Sequence, residues 1–201
     1  TYKNDPKNEN SLANNNVWAL AQDNYGKIWI GTLGGGLQSF DPANNKFKTY
    51  NLKSGKLPTD YISSMFISGN DMVVGTSYGI SLINIKEDKI LNLVGSKSGS
   101  QEFSSLNVGQ VYKDSRGLIW IGTREGLNIY NPKTDEIKIL RVKDGLSSDL
   151  ISGIVEDSDK NMWISTSNGV TNISLMLDKK SGAYVYSFVV YDDNDGLQNA
   201  E

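Results

Sequence analysis

Three observations predict an all-β chain of β-propeller blades, each made of four antiparallel strands. The stretch "GKIWIGTLGGGLQSFDP" beginning at Gly26 returns as "GLIWIGTREGLNIYNP" beginning at Gly117. Its central tetrapeptide occurs four times, as "WIGT" ending at Thr32, "VVGT" at Thr76, "WIGT" at Thr123 and "WIST" at Thr166. The spacings are 44, 47 and 43 residues, a period that belongs to propeller blades or solenoids. Inside each copy the apolar residues alternate with a period of two, in short runs rich in β-branched and aromatic side chains, which is the pattern of strands.

The strands of one copy, a to d, follow from the turns between them. "DNYG" at Asp23 and "DSRG" at Asp114 place Asp first and Gly fourth, as a type I turn prefers, and join a to b. Strands b and c meet at "TLGGGL", "TSYGI", "TREGL" and "TSNGV", where Gly36, Gly79, Gly126 and Gly169 stand at the positions that need positive φ. "DPANN" from Asp41 and "NPKTD" from Asn131 set Pro in the second turn position and close c onto d. A leader precedes each strand a at constant distance, pairing Leu12 with Val17, Leu57 with Ile62, Phe103 with Val108 and Leu146 with Ile151. The repeats are therefore residues 12–56, 57–102, 103–145 and 146–195, with 196–201 ("GLQNAE") as the start of a further blade and "TYKNDP" as the tail of a strand d.

A four-stranded sheet with two apolar faces needs neighbours on both, and blades stacked around an axis supply them. Propellers close with about four to eight blades. Four copies are compatible with a self-closed ring, but the pitch favours part of a larger propeller, seven-bladed by preference.

Composition narrows the function. The chain has 201 residues, 38% of them hydrophobic, and a formal net charge of -3 without a basic block, so nucleic acid is not an expected partner. Cysteine and histidine are both absent, which removes thiolate chemistry, the commonest general base and most zinc sites. The longest apolar run, "YVYSFVVY", is far short of a bilayer span, and the first residues do not have the form of a signal sequence, so a soluble chain is expected. No cofactor or metal is expected either. "DSDKN" at Asp157 has Met162 where a calcium loop needs Gly, and "TLGGGL" lacks the Lys and following helix of a phosphate cradle. "DDNDG" at Asp192 fits a solvated turn better than a cation site.

The segments "VYKDSRGLIWIGTREGLNIYNP" and "ISGIVEDSDKNMWISTSNGVTNI" resemble the two-component regulator propeller repeat. The resemblance extends over nearly the whole chain. It departs from the repeat in the second copy, where "ISGNDMVVGT" has a shorter a-to-b turn and Val73 in the place of Trp29, Trp120 and Trp163. In that family, tandem propellers form the sensory part of hybrid histidine kinases, mostly of saccharolytic gut bacteria. The resemblance implies a periplasmic, non-catalytic sensor of a glycan fragment or partner. It also implies further blades and a kinase on the same polypeptide, and a homodimer at full length. The tail "YDDNDGLQNAE" is similar to the segment that leads into the last blade before an immunoglobulin-like domain, which would place this chain in the second propeller. The alternatives are a propeller enzyme, of lyase or quinoprotein type, and a structural docking array.

The repeated tryptophans are expected to fill the gap between blades rather than to stack on sugars. Candidate ligand residues are those where the frame is constant and the content varies. These are Tyr78, Arg124 with Glu125, and Asn168 at the b-to-c tips, with Trp18 at the start of an innermost strand. An Arg fork, an acceptor carboxylate and aromatic faces are a chemically sensible set for a sugar.

Overall fold

The computed structural model describes residues 1–197, and the further blade expected at 196–201 lies largely outside them. Sixteen strands form four sheets. Blade 1 is β1 (Val17–Gln22), β2 (Ile28–Thr32), β3 (Leu37–Asp41) and β4 (Lys46–Tyr50). Blade 2 is β5 (Ile62–Ser68), β6 (Asp71–Thr76), β7 (Gly79–Asn84) and β8 (Lys89–Leu93). Blade 3 is β9 (Val108–Lys113), β10 (Ile119–Thr123), β11 (Leu127–Asn131) and β12 (Glu136–Leu140). Blade 4 is β13 (Ile151–Glu156), β14 (Met162–Thr166), β15 (Gly169–Leu177) and β16 (Tyr184–Tyr191). Each sheet runs a-b-c-d with every pair antiparallel. The helical segments among the described residues are two single 3₁₀ turns, Val142–Asp144 and Asp193–Asp195. No helix there is long and apolar enough to cross a membrane.

Strands a pack side by side in the order β1, β5, β9, β13, which makes them the innermost strands. β13 does not return to pack comparably on β1, so the four blades form an arc and not a closed ring. Between blades 1 and 2 the core holds Trp29, Leu37, Ile62, Met72 and Val74, with the leader residue Leu57. Between blades 3 and 4 it holds Trp120, Leu127, Ile151, Met162 and Ile164, with the leader residue Leu146. The opening "TYKNDP" forms no strand, contrary to the expectation. Tyr2 instead lays its ring against Phe40 and Phe47 of blade 1, at centroid distances of 4.7 and 5.7 Å. With Leu57 and Leu146, the side chains of Leu12 and Phe103 show that the leaders are core elements, each nearly inaccessible to solvent.

The Gly of "WIGT" has a packing reason. A Cβ on Gly31 or Gly122 would come within 2.6 Å of Ile62 Cγ2 or Ile151 Cγ2, the first side chain of the next blade. Close approach of successive inner strands therefore depends on a missing side chain.

The tryptophan and the turn Asp form one unit. Trp29, Trp120 and Trp163 donate their indole N–H to Asp23, Asp114 and Asp157 Oδ2 at 2.8, 3.0 and 2.7 Å. The other oxygen of each carboxylate accepts two backbone N–H groups of the a-to-b turn, for Asp114 those of Arg116 (3.0 Å) and Leu118 (2.9 Å). At Asp157 the indole bond, followed by the backbone N–H groups, holds the carboxyl below its ordinary range. Blade 2 lacks both partners, with Ser68 and Val73 at the two positions.

Clasps from the c-to-d turns tie neighbouring blades together. Asp88, in the left-handed region at φ 54, accepts from Lys48 Nζ and Tyr50 Oη of blade 1, both at 2.7 Å. Asp135, at φ 62, accepts from the backbone N–H of Lys97 (2.7 Å) and Ser98 (2.8 Å) and from Tyr130 Oη (3.1 Å). Asp and Asn tolerate this conformation better than most residues. Desolvation opposes ionisation of Asp135, yet the hydrogen bonds from Ser98, Lys97 and Tyr130 outweigh it and hold its pKa at about 2.

That shift predicts an acid-sensitive clasp. A carboxyl lowered from an ordinary value of about 3.9 stabilises the folded form fully above that pH and loses the contribution as pH falls through its folded value. The amide resonances of Lys97 and Ser98 should therefore titrate together between about pH 4 and pH 2, and stop doing so in Asp135→Asn. Titration of both amides in that variant would place the acid-sensitive group elsewhere.

Candidate functional site

The b-to-c hairpins build a loop face from a repeated device. The hydroxyls of Thr32, Thr76, Thr123 and Thr166 donate to the carbonyls of Gly36, Gly79, Gly126 and Gly169 at 3.0, 2.9, 2.9 and 3.1 Å. The same hydroxyls accept the backbone N–H of Gly35, Tyr78, Glu125 and Asn168 at 2.9 to 3.0 Å. Each glycine has positive φ, between 78 and 124°. On Gly126 a Cβ would lie 2.8 Å from the carbonyl oxygen of Leu140 on strand d. The Thr and Gly fix the backbone, and the residues between them carry side chains into solvent.

Every hairpin is bonded to at least one leader, and those of blades 1 and 2 are wedged between two. Gly34 and Gly36 N–H donate to Asp60 O, Gly79 to Leu106 O and Gly126 to Asp149 O, at 2.8, 2.9, 2.7 and 2.9 Å, all on the leader of the following blade. Leu33, Ser77 and Ser167 donate to Asn16, Tyr61 and Leu150 on their own leaders at 3.0, 3.2 and 3.3 Å. Tips and leaders therefore share one face, as the sequence reading requires.

A β-bulge sits at the start of every strand a on that face. The register passes from Val17–Thr32 to Ala19–Gly31, leaving Trp18 as the extra residue, and the same step leaves Ser63, Gly109 and Ser152 unpaired. A bulge re-aims the side chain it carries. Trp18 is 63% exposed, large for an aromatic residue in an innermost strand. At the equivalent place in blade 2, Ser63 Oγ donates to Val108 O of blade 3 at 2.6 Å.

All five candidate residues thus lie on the loop face and are exposed: Trp18 on β1, Tyr78 at the blade 2 tip, Arg124 and Glu125 at the blade 3 tip, and Asn168 at the blade 4 tip. They are not drawn into one pocket. Asn168 Nδ2 turns back to Ser147 O at 3.4 Å, and the others are spread over three blades, Trp18 on blade 1, Tyr78 on blade 2 and the adjacent Arg124 and Glu125 on blade 3. Two neighbours on this face went unrecognised in the sequence. Arg141 donates Nε to Glu125 O at 3.0 Å, beside Arg124. Tyr61, 55% exposed, lies on the blade 2 leader bonded to the Tyr78 hairpin. Both occupy variable positions next to the constant frame, which is the signal that would have identified them. Among the described residues no group of three or more carboxylates is placed to hold a metal ion.

Four blades with a variable loop face on an invariant frame place the chain among β-propeller domains. Within that class, residues 11–34, 102–125 and 145–168 match the family described as two component regulator propeller. The chain is 26% identical to Histidine kinase P4 of Formosa agariphila, over 96% of this chain and 14% of that one. It superposes on the extracellular domain of a hybrid two component system of B. thetaiotaomicron with a TM-score of 0.73 at 25% identity, over 100% of this chain and 25% of that one. A second such domain from the same organism gives a TM-score of 0.64 at 20% identity, over 94% of this chain and 26% of that one, a likeness of fold. The chain therefore spans between about one seventh and one quarter of the length of these relatives.

Proposed function

We propose that these blades are part of a larger, seven-bladed propeller in the periplasmic sensor region of a hybrid two-component histidine kinase, and that the loop face recognises a glycan fragment without chemistry of its own. The observation that carries this reading is the division of labour in each hairpin. Thr and Gly repeat because they build the turn, and the residues they present differ from blade to blade. The relatives support the signalling part of the reading, since a histidine kinase and the extracellular domain of a hybrid system are what the chain resembles along its length. Arg124 offers a fork of donors to hydroxyls or a carboxylate, Glu125 accepts from hydroxyls, and Tyr78 and Trp18 offer ring faces to the apolar side of a sugar. Asn168, whose amide already donates to the frame, contributes its carbonyl oxygen. Ligand binding would bias the homodimer of the full-length protein and so set the kinase.

Titrating an oligosaccharide panel into the complete sensor region tests this. Arg124→Ala should cost about 1.5 to 3 kcal/mol of binding, the range of a charge-assisted hydrogen bond. That corresponds to roughly 10- to 150-fold weaker affinity with an unchanged melting temperature. Unchanged affinity in both Arg124→Ala and Tyr78→Ala, or turnover of the glycan by the purified protein, would overturn the proposal.

A further inference from the structure

The outer edges of the four blades are not protected alike. An outermost strand leaves half of its N–H and C=O groups without a ladder partner, and proteins blunt such an edge with short strands, charged residues or a covering segment. Blades 1 and 3 are covered. Asn10 accepts the N–H of Phe47 on β4 at 2.8 Å, and Gln101 accepts that of Ile137 on β12 at 2.7 Å, each from the crossover that leads into its own blade. Strands β4, β8 and β12 are also short, five residues each, and they carry Lys46 and Lys48, Lys89, and Glu136 and Lys138.

β16 has none of these protections. Its eight residues, "YVYSFVVY", include no charge, no proline and no glycine. Phe188 stands at the register position of Phe47 and Ile137, and no group among the described residues accepts its N–H. The crossover that would cover it, residues 141–145, is held at the loop face by its 3₁₀ turn and by the bond from Arg141 to Glu125. The cover is therefore missing whatever blade follows. The bond from Asp178 N–H to Ala183 O, continued by the alternation of an antiparallel pair, turns the N–H and C=O of Tyr184, Tyr186, Phe188 and Val190 outward.

We infer that β16 pairs antiparallel with β16 of a second copy of this chain, joining the two fourth blades into one sheet about a two-fold axis at Ser187. The strand is complementary to itself. With the axis there, Tyr184 lies opposite Val190 of the second copy, Val185 opposite its Val189, Tyr186 opposite its Phe188, and the two serines oppose each other. Every outward N–H and C=O then meets its complement on the other strand. The opposed side chains are aromatic with aromatic or β-branched, valine with valine and serine with serine, all pairs that stabilise a sheet. No charge is present to be repelled, and an isologous contact of this kind closes at two copies. The pairing lies on the outer rim, and the inference does not depend on what the loop face binds.

Amide exchange followed residue by residue at high and low protein concentration, with sedimentation equilibrium beside it, tests the inference. The amides of Tyr184, Tyr186, Phe188 and Val190 should exchange fast in dilute solution and slow several-fold as the dimer forms. Those of Val185, Ser187, Val189 and Tyr191, bonded to β15, should stay protected throughout. Ser187→Lys changes an exposed side chain and keeps the bonds to β15. It should weaken dimerisation several-fold, as should Ser187→Glu, and an equimolar mixture of the two should restore it, because the axis sets the unlike charges opposite each other. A monomer at every concentration would overturn the inference. So would a dimer indifferent to both charges, or one whose outward amides stay unprotected, the mark of contact through the open Trp163 face.

Discussion

Asp114→Ala should destabilise the chain by about 3 to 5 kcal/mol, the cost of removing one member of a buried charged pair. For a chain of this length that amounts to a fall in melting temperature of roughly 6 to 20 °C. The Asp114 side chain is inaccessible to solvent, and it is the acceptor for the Trp120 indole and two turn amides. It also pairs with Arg116 Nη1 at 3.0 Å, which reaches on to Glu156 at 3.3 Å and so ties blade 3 to blade 4. Alanine would leave three donors in the interior without a partner, whereas the arginine keeps Glu156 and the Lys160 carbonyl. Asp114→Asn retains one acceptor oxygen and should lose about half as much. A thermal melt of the three proteins decides the matter, and an Asp114→Ala melt within about 2 °C of the wild type would mean that solvent already satisfies these donors.

The repeat itself was legible because a blade cannot vary its frame freely. Gly36, Gly79, Gly126 and Gly169 stand where the backbone requires positive φ, and alternation required by a two-faced sheet marked all sixteen strands. Five apart in every copy, leader and strand a declared a crossover whose first residue is buried. The Asp–indole unit was only half visible. Asp23 and Asp114 looked sufficient as turn formers, and nothing in a single turn says that the second carboxylate oxygen reaches a tryptophan six residues on. The joint loss of Asp and Trp from blade 2 was the available clue.

The candidate site was legible as a face and no further. Constant Thr and Gly with variable residues between them located the tips, because the frame and the presented side chains answer to different constraints. Arg141 escaped notice because it reaches Glu125 from the end of strand d, a contact that only the folded hairpin creates. The bulge that aims Trp18 escaped for a related reason. One extra residue in a strand is invisible until its partner strand fixes the register.

Trp120→Ala and Trp163→Ala remove the same side chain from the same register position, yet they should differ several-fold in cost. Trp120 has no accessible surface and packs against blade 4, so truncation should cost about 3 to 5 kcal/mol through lost contacts and a cavity. Trp163 belongs to the row Val155, Trp163, Asn172 and Val189, which looks away from blade 3, and Val155 and Val189 are 53% and 51% exposed. Its indole keeps the bond to Asp157 and stacks on Tyr191 at 5.6 Å, and it is half-buried, with no further blade packed on that face among the described residues. Truncation there should cost about 1 kcal/mol, the worth of one hydrogen bond and one aromatic pair. In a longer chain that includes the next blade, the face would be covered as the equivalent face of blade 3 is, and Trp163→Ala should then approach the cost of Trp120→Ala. Melts of both variants in both lengths of chain separate the cases. Equal costs in the 201-residue chain, varying with protein concentration, would mean that a second copy covers the face and that the blades are not continued in the way proposed.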